Sequence, residues 1–176
     1  MDLKAEILRE HSKAQTMKIV DYIGSNQNRF DDLVKLFLEG EYRVTQRAAW
    51  ALRFCAEADS ALILPHLRAL IENLKHPLHD SNKRNTIKVL TFVDIPEGLL
   101  GELADICFGF LASPKEAIAI RVFSMEVLYK ICQLKPDLAN ELKILIEDHY
   151  PHGSAGFKSK SRKVLKGIAK LQKESK

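Results

Sequence analysis

Apolar residues recur at intervals of three and four along most of the chain, a spacing that predicts amphipathic α-helices. One regular stripe consists of Phe30, Leu33, Val34, Phe37 and Leu38. Gly40 follows this stripe and is expected to end its helix. No stretch alternates between apolar and polar residues for long enough to propose a strand. The pattern therefore predicts an all-α protein.

The helical pattern also repeats along the chain, with a period of about 38 residues. Apolar or small positions of the segment 47–55 return at the same helical phase in two later segments. The three sets are Ala49, Leu52 and Cys55; Ile87, Leu90 and Val93; and Met125, Leu128 and Ile131. The links into successive copies carry Pro77, Pro114 and Pro151, which are 37 residues apart. Such self-similarity is typical of repeat proteins, whose units bury their apolar faces only against their neighbours.

Each repeat is expected to contain two helices joined by a short turn, an arrangement that favours antiparallel pairs. Ser12 is a predicted N-cap, and Gly24 is a predicted helix end. The later helices are expected at about Ser60–Leu74, Asn82–Val93, Glu97–Leu111, Lys115–Leu134 and Asp137–Tyr150. Pro65 either sets the first turn of its helix or kinks that helix.

These boundaries predict a single helical-repeat domain over residues 1–176. Its units are about 12–40, 41–76, 77–113 and 114–150, and a capping helix covers 151–174.

One unit is close to a known repeat motif. The segment 46–52, QRAAWAL, followed by the segment 64–71, LPHLRALI, resembles one complete HEAT unit. The third unit keeps Arg84, Ile87 and Leu90, whereas the fourth has Arg121 one position early. The resemblance is to the HEAT and armadillo-like repeat superfamily and covers roughly residues 12–171. It implies a right-handed α-solenoid of antiparallel helix pairs that serves as a binding surface or scaffold, and it specifies no activity.

The charge of the chain is unevenly distributed. Residues 151–176 contain eight basic residues and one acidic residue, a net charge of +7. The preceding 150 residues contain 19 basic and 22 acidic residues, a net charge of −3. The body is therefore mildly acidic and the tail strongly basic, so a charged partner has to be considered separately for each.

Composition indicates a folded globular protein, with 46% hydrophobic and 28% charged residues. No apolar run approaches the roughly 18 residues of a membrane-spanning helix. The segment 1–6 is charged and lacks the apolar core of a secretory signal. We therefore expect a cytoplasmic protein that does not contact a membrane.

Few residue patterns suggest catalysis, since the chain has neither a Gly-rich phosphate loop nor an HExxH motif. Its two HxxH pairs are His76/His79 and His149/His152. Each pair straddles a proline-bearing link with no cysteine nearby, whereas structural zinc needs four convergent ligands. Three cysteines lie within apolar helical patterns typical of buried reduced thiols: Cys55, Cys107 and Cys132. We therefore expect no enzyme activity, no cofactor and no metal site.

The most informative single residue is Trp50. Its counterparts one and two repeats later are Lys88 and Glu126, which are expected to face solvent. Trp50 covers the preceding unit at the edge of the core, stacks with Arg53, or anchors a protein partner, a role for which Trp and Arg are favoured. The candidate partner-binding residues of this outward stripe are Trp50, Arg47, Arg53 and Tyr129.

The C-terminal helix has two different faces. The apolar stripe is Val164, Leu165, Ile168 and Leu171, and the opposite face carries Lys163, Lys166, Lys170 and Lys173. A terminal repeat closes the stack with a polar outer surface, so the helix is expected to act as a cap. Because like charges one turn apart disfavour a helix, a counter-charge is expected from an acidic protein partner or from acidic helices of the same chain.

Nucleic acid is the alternative partner, bound through the basic C-terminal helix and outer residues. Those outer residues are Arg47, Arg53, Lys83, Arg84 and Lys88. Alkylpurine DNA glycosylases also use HEAT-like repeats, and the resemblance implies basic inner helices in such proteins. Here the inner helices carry Glu97, Glu102 and Asp105, then Asp137, Glu141, Glu147 and Asp148 against Lys143. A phosphate backbone would be repelled there, so protein binding is favoured over nucleic-acid binding, and glycosylase activity is disfavoured.

Overall fold

The computed structural model describes residues 1–174, which fold into α-helices and two short 3-10 segments. The α-helices are α1 (Leu3–Arg9), α2 (Lys13–Ile23), α3 (Gln27–Glu39), α4 (Tyr42–Ala58), α5 (Leu67–Asn73), α6 (Asp80–Leu90), α7 (Glu97–Ala112), α8 (Ile118–Leu134), α9 (Ala139–His149) and α10 (Ala155–Glu174). The 3-10 segments are Ser60–His66 and Pro136–Leu138. No strand is present within these residues, which confirms the all-α prediction.

The helices form two compact units, one over Met1–Asp94 and the other from Ile95 onward. In the first unit α4 is central and packs against α1, α2, α3 and α6. In the second unit α8 has the corresponding place and packs against α7, α9 and α10. The prediction that these residues form one domain stays a prediction.

The repeated apolar positions form the core of each unit. Six residues of the repeat have no measurable exposure: Ala49, Leu52, Ile87, Leu90, Met125 and Leu128. Cys55, Val93 and Ile131 complete the three sets and are also buried. The 38-residue register is therefore confirmed, because the same helical phase points inward in all three copies.

Local sequence signals set the ends of the early helices. Ser12 caps α2, since its hydroxyl accepts a hydrogen bond of 3.1 Å from the backbone N–H of Gln15. Gly24 ends α2 with a φ of 51°, in the left-handed region that glycine adopts at little steric cost. Both predicted helix boundaries are confirmed.

The helix predicted over Ser60–Leu74 is divided, so that prediction needs correction. Ser60–His66 is a 3-10 segment that contains Pro65, and α5 begins only at Leu67. Proline has no N–H to donate to a carbonyl four residues earlier, which disfavours α-helix at this point. The predicted Asp137–Tyr150 helix likewise begins with the 3-10 turn Pro136–Leu138.

The start of α8 differs from the prediction. The helix expected from Lys115 begins at Ile118 instead.

None of the helices within residues 1–174 combines the length and apolar character needed to cross a bilayer.

Candidate interaction surfaces

The C-terminal helix α10 docks on α8 through its apolar face. Phe157, Val164 and Ile168 are at most 3% exposed. The backbone of Gly167 lies against the phenol ring of Tyr129, so closely that a Cβ at position 167 would be 2.8 Å from Cε2 of that ring. The predicted amphipathic helix is therefore present and packs tightly on α8, and its capping role stays a prediction.

Three basic residues in the N-terminal half of α10 have intramolecular partners. Lys160 forms an ion pair with Glu126 of α8. Arg162 donates a hydrogen bond of 3.1 Å from Nη1 to the hydroxyl of Tyr150. Lys158 lies over the ring of Tyr150, with Nζ 5.8 Å from the centroid. These contacts attach the polar edges of α10 to α8 and to the end of α9.

The exposed side of α10 carries a strip of positive charge, which we call the lysine face. Its members are Lys163, Lys166, Lys170 and Lys173, and all four are exposed. They span eleven residues, or about 15 Å along an α-helix. Lys176, which adds to the basic tail, lies outside the described residues. Since the apolar stripe is packed on α8, the lysine face can meet a partner while the helix remains docked.

The outward stripe of the fourth repeat is less exposed than the sequence predicted. The Glu126 side chain is only 23% exposed because it pairs with Lys160. Tyr129 is half-buried because Gly167 packs against its ring. Lys88 is also half-buried. The expectation that Lys88 and Glu126 face solvent is therefore wrong, and for Glu126 the reason is coverage by α10.

Trp50 belongs to a small aromatic cluster in the first unit. The half-buried indole meets the ring of His11 edge-on, with centroids 5.9 Å apart, and lies 6.0 Å from the ring of Phe54. The Arg53 guanidinium lies over Phe54 at 5.4 Å, and its Nε donates a hydrogen bond of 2.8 Å to Glu57. Arg53 therefore stacks on Phe54, which corrects the alternative that placed it on Trp50.

Arg47 attaches α4 to the end of α1. Its Nη1 donates hydrogen bonds to the carbonyl oxygens of Ile7, at 3.3 Å, and Leu8, at 2.9 Å. The last carbonyls of an α-helix have no partner within the helix, so they accept such donors readily. Sequence reasoning gave Arg47 as a partner-binding candidate and did not find this contact.

Arg121 has the same kind of contact in the second unit. Its Nε donates a hydrogen bond of 3.1 Å to the carbonyl of Leu111 in the last turn of α7, and its guanidinium lies 5.0 Å from the ring centroid of Phe157. Burial lowers the pKa of this guanidinium. Arginine recurs near this place in the repeats, at Arg47, Arg84 and Arg121, and this recurrence is the sequence signal that could have indicated such a contact.

A groove between α7 and α9 was not predicted as a site. It has a volume of about 680 Å³, and we call it the acidic groove. Its lining residues are Phe108, Gly109, Ala112, Asp137, Asn140, Glu141, Ile144, Leu145 and Asp148. The acidic side chains were noted in the sequence as an argument against phosphate binding and as a possible counter-charge for the C-terminal helix. Ile144 lies off the core face of α9, and a single outward apolar residue gives no site signal.

One polar cluster ties the 3-10 segment at residues 60–66 to α3. His66 Nε2 is 2.7 Å from Asp31 Oδ1, and Gln27 Nε2 donates to the same oxygen at 2.7 Å. Gln27 Nε2 also donates to the carbonyl of Leu62 at 3.1 Å. The hydrogen bond from Gln27, followed by the contact with His66, lowers the pKa of Asp31. The arrangement ties Leu62 and His66 of this segment to α3.

The cysteines are buried thiols, as predicted. Burial raises the pKa of Cys55 and of Cys107 to about 12 and that of Cys132 to about 11. A thiol with such a pKa is not ionised near neutral pH and is a poor nucleophile. Across the part of the chain that the structure describes, no three His, Cys, Asp or Glu residues are grouped so as to hold a metal ion.

Comparison with known families gives one match over nearly the whole chain. A model of the HEAT repeat domain matches residues 3–168. No curated protein and no solved structure matches the chain. The family match confirms the resemblance that the segments at 46–52 and 64–71 carried.

Proposed function

Because the chain belongs to the HEAT repeat domain family, we propose that it is a non-catalytic protein-interaction module, built as a right-handed α-solenoid of antiparallel helix pairs. Stacked repeats present extended surfaces on a rigid support, and many of them act by binding other proteins. The fold alone defines no partner, so the partner has to be argued from the surface chemistry.

The lysine face carries the proposal, and its partner is an acidic protein. A terminal helix needs only a polar outer surface to close a stack, and that does not require four cations within three turns. Like charges at these spacings disfavour the helix by a few tenths of a kcal/mol per pair. Glu126 of α8 is already paired with Lys160, which lies outside this face. Carboxylates of a partner would therefore add counter-charge along this exposed face.

Trp50 is the second contact in this proposal, on the first unit. The indole is half-buried beside the exposed His11 ring, so part of its surface is open to a partner. Trp is favoured at interface anchors because it buries a large rigid surface. Arg47 and Arg53 support this cluster through their contacts with α1 and Phe54, and Tyr129 supports the docking of α10.

Nucleic acid is the second candidate, favoured by the lysine face alone. Of the outer residues, Arg47 and Arg53 have intramolecular partners, Lys83 and Lys88 are half-buried, and Arg84 is exposed. A protein that binds phosphates through Lys and Arg loses affinity steeply as salt rises, because counterions are released on binding. The salt dependence of binding therefore separates the two candidates.

The test is affinity capture from native lysate on immobilised protein, with bound proteins identified by mass spectrometry. The informative variant changes the lysine face to glutamine: Lys163→Gln, Lys166→Gln, Lys170→Gln and Lys173→Gln. Its matched control changes four exposed lysines elsewhere: Lys13→Gln, Lys18→Gln, Lys35→Gln and Lys115→Gln. The proposal expects an acidic protein that binds the wild type and the control and is lost with the first variant. Equal capture by both variants would contradict it.

A further inference from the structure

The acidic groove is shaped to admit a second helix. Its α7 wall is low, because Gly109 has no side chain and Ala112 has only a methyl group. A Cβ built on Gly109 would have no neighbouring heavy atom within 4 Å, so the space beside the helix is open. Side chains of an incoming segment can therefore approach the backbone of α7 closely.

Part of the groove lining is apolar, and we call this part the apolar floor. It consists of Ile144, which is 59% exposed, and the half-buried Phe108 and Leu145. A single exposed apolar residue on a protein surface needs no explanation. Here it lies in a concave surface together with two further apolar side chains, so covering it with an apolar anchor removes water from all three.

The rim of the groove is negatively charged. Asp137, Glu141 and Asp148 are exposed, and Glu141 and Asp148 are two turns of α9 apart, about 10 Å along the axis. Within residues 1–174, no basic side chain forms an ion pair with any of the three carboxylates. An occupant that brings cations to this rim gains charge complementarity without displacing an existing ion pair.

We propose that the acidic groove binds a basic amphipathic helix of a partner protein. Apolar side chains on one face of that helix cover Ile144, and its Lys or Arg residues meet Asp137, Glu141 and Asp148. The α10 helix of a second copy fits less well, because its apolar stripe is packed on α8 and its lysine face has no anchor for the apolar floor. This inference concerns a different surface from the lysine face and does not depend on it.

Fluorescence anisotropy with designed peptides tests the proposal on the full chain. The probe is a labelled peptide of about five helical turns, with Leu at spacings of three and four and Lys on the flanks. One comparison peptide has Glu in place of every Lys, and another has Ser in place of every Leu. We expect the Lys–Leu peptide to bind and each comparison peptide to bind about tenfold more weakly or worse. Equal affinity for the Glu–Leu peptide would overturn the proposal.

Matched variants locate the binding. The variant Asp137→Asn, Glu141→Gln, Asp148→Asn is expected to weaken binding of the Lys–Leu peptide by about tenfold or more. The control Asp21→Asn, Glu39→Gln, Asp94→Asn removes the same charge from exposed positions of the first unit and is expected to bind as the wild type does. Equal weakening in both would show a general charge effect and overturn the proposal.

Two further substitutions test the apolar floor and the open wall. Ile144→Ser is expected to weaken binding, whereas Ile118→Ser, at a similarly exposed isoleucine, leaves it unchanged. Gly109→Leu places a side chain in the groove without removing a charge and is expected to weaken binding. Its control is Gly101→Leu on the same helix, since both positions have room for a Cβ. Unchanged affinity in Ile144→Ser and Gly109→Leu would contradict the proposal. Sedimentation could also contradict the proposal. If the wild type forms a dimer that the variant Asp137→Asn, Glu141→Gln, Asp148→Asn abolishes, a second copy of the chain is the occupant.

Discussion

The backbone of Gly167 in α10 lies against the aromatic ring of Tyr129 in α8, with no room for a Cβ between them. The glycine therefore permits a closer approach of the two helices than any other residue would. Since α10 begins more than twenty residues after Tyr129, this contact helps to define where the terminal helix docks. It links the structural role of α10 to the position of its lysine face.

The effect of alanine at Gly167 is expected to be opposite to its usual effect in a helix. Gly101→Ala in α7 meets no neighbouring atom and is expected to stabilise the protein by about 0.5–1 kcal/mol through helix propensity. Gly167→Ala is expected to destabilise it by about 1–3 kcal/mol, because the methyl group meets the Tyr129 ring. Urea unfolding of both variants measures the difference, and equal stabilisation would show that the contact is not close.

Removing the terminal helix is expected to lower stability, because Phe157, Val164 and Ile168 form a buried face against α8. Truncation of residues 158–176 removes two of these side chains and uncovers the Met125 side of α8. Changing Lys163, Lys166, Lys170 and Lys173 to glutamine should leave the melting temperature near that of the wild type. Thermal melts that show the truncated protein as stable as the full chain would rule out a capping role.

Much of this organisation follows from sequence because it rests on local patterns. The repeat of Leu52, Leu90 and Leu128 identifies the core, since burial of one helical face is a property of spacing. The contact of Arg47 with Leu8 joins residues far apart in the chain and depends on how α1 and α4 pack. The partial burial of Glu126 likewise depends on α10, which lies well beyond it in sequence.

The acidic groove shows the same limit from another direction. Ile144 lies two residues from the buried Leu142 and Ile146, off the core face of α9, and it is 59% exposed. Whether such a residue is covered depends on the neighbouring helix, and α7 has Gly109 and Ala112 at this place. Glycine and alanine in a helix give no periodic signal, so the open wall could not be read from the hydrophobic pattern.

Trp50→Ala is expected to lower affinity for the captured partner by about tenfold or more, as removal of an interface anchor does. The loss of stability should stay within about 1 kcal/mol, well below the 3–5 kcal/mol of a fully buried aromatic residue. Tyr42→Ala, at an aromatic residue of α4 that is 65% exposed, is the control for general effects. A large loss of stability with unchanged affinity would show that Trp50 serves packing alone.

The Asp31 cluster predicts a pH-dependent contribution to stability. Because the hydrogen bond from Gln27 and the contact with His66 lower the pKa of Asp31 below its ordinary 3.8, folding favours the charged carboxylate. Its contribution is therefore present above that value and is lost as the pH falls through the lower folded pKa. Urea unfolding should show Asp31→Asn less stable than wild type at pH 7, with a difference that shrinks in acid.

The control for this experiment is Asp32→Asn, at the exposed neighbouring position of α3. It removes the same charge without touching Gln27 or His66. Its loss of stability relative to the wild type should therefore be smaller, both at pH 7 and in acid. A difference for Asp31→Asn that does not depend on pH would contradict the proposed role of its carboxylate.

The central claim, that the lysine face binds an acidic protein, is tested most directly by capture before and after nuclease treatment at physiological salt. The account predicts that the same protein is retained after nuclease and is lost with the lysine-face glutamine variant. A retained protein would also bind directly in purified form, with a shallower salt dependence than phosphate contacts give. Capture that disappears with nuclease, together with nucleic acid in the eluate, would contradict the claim.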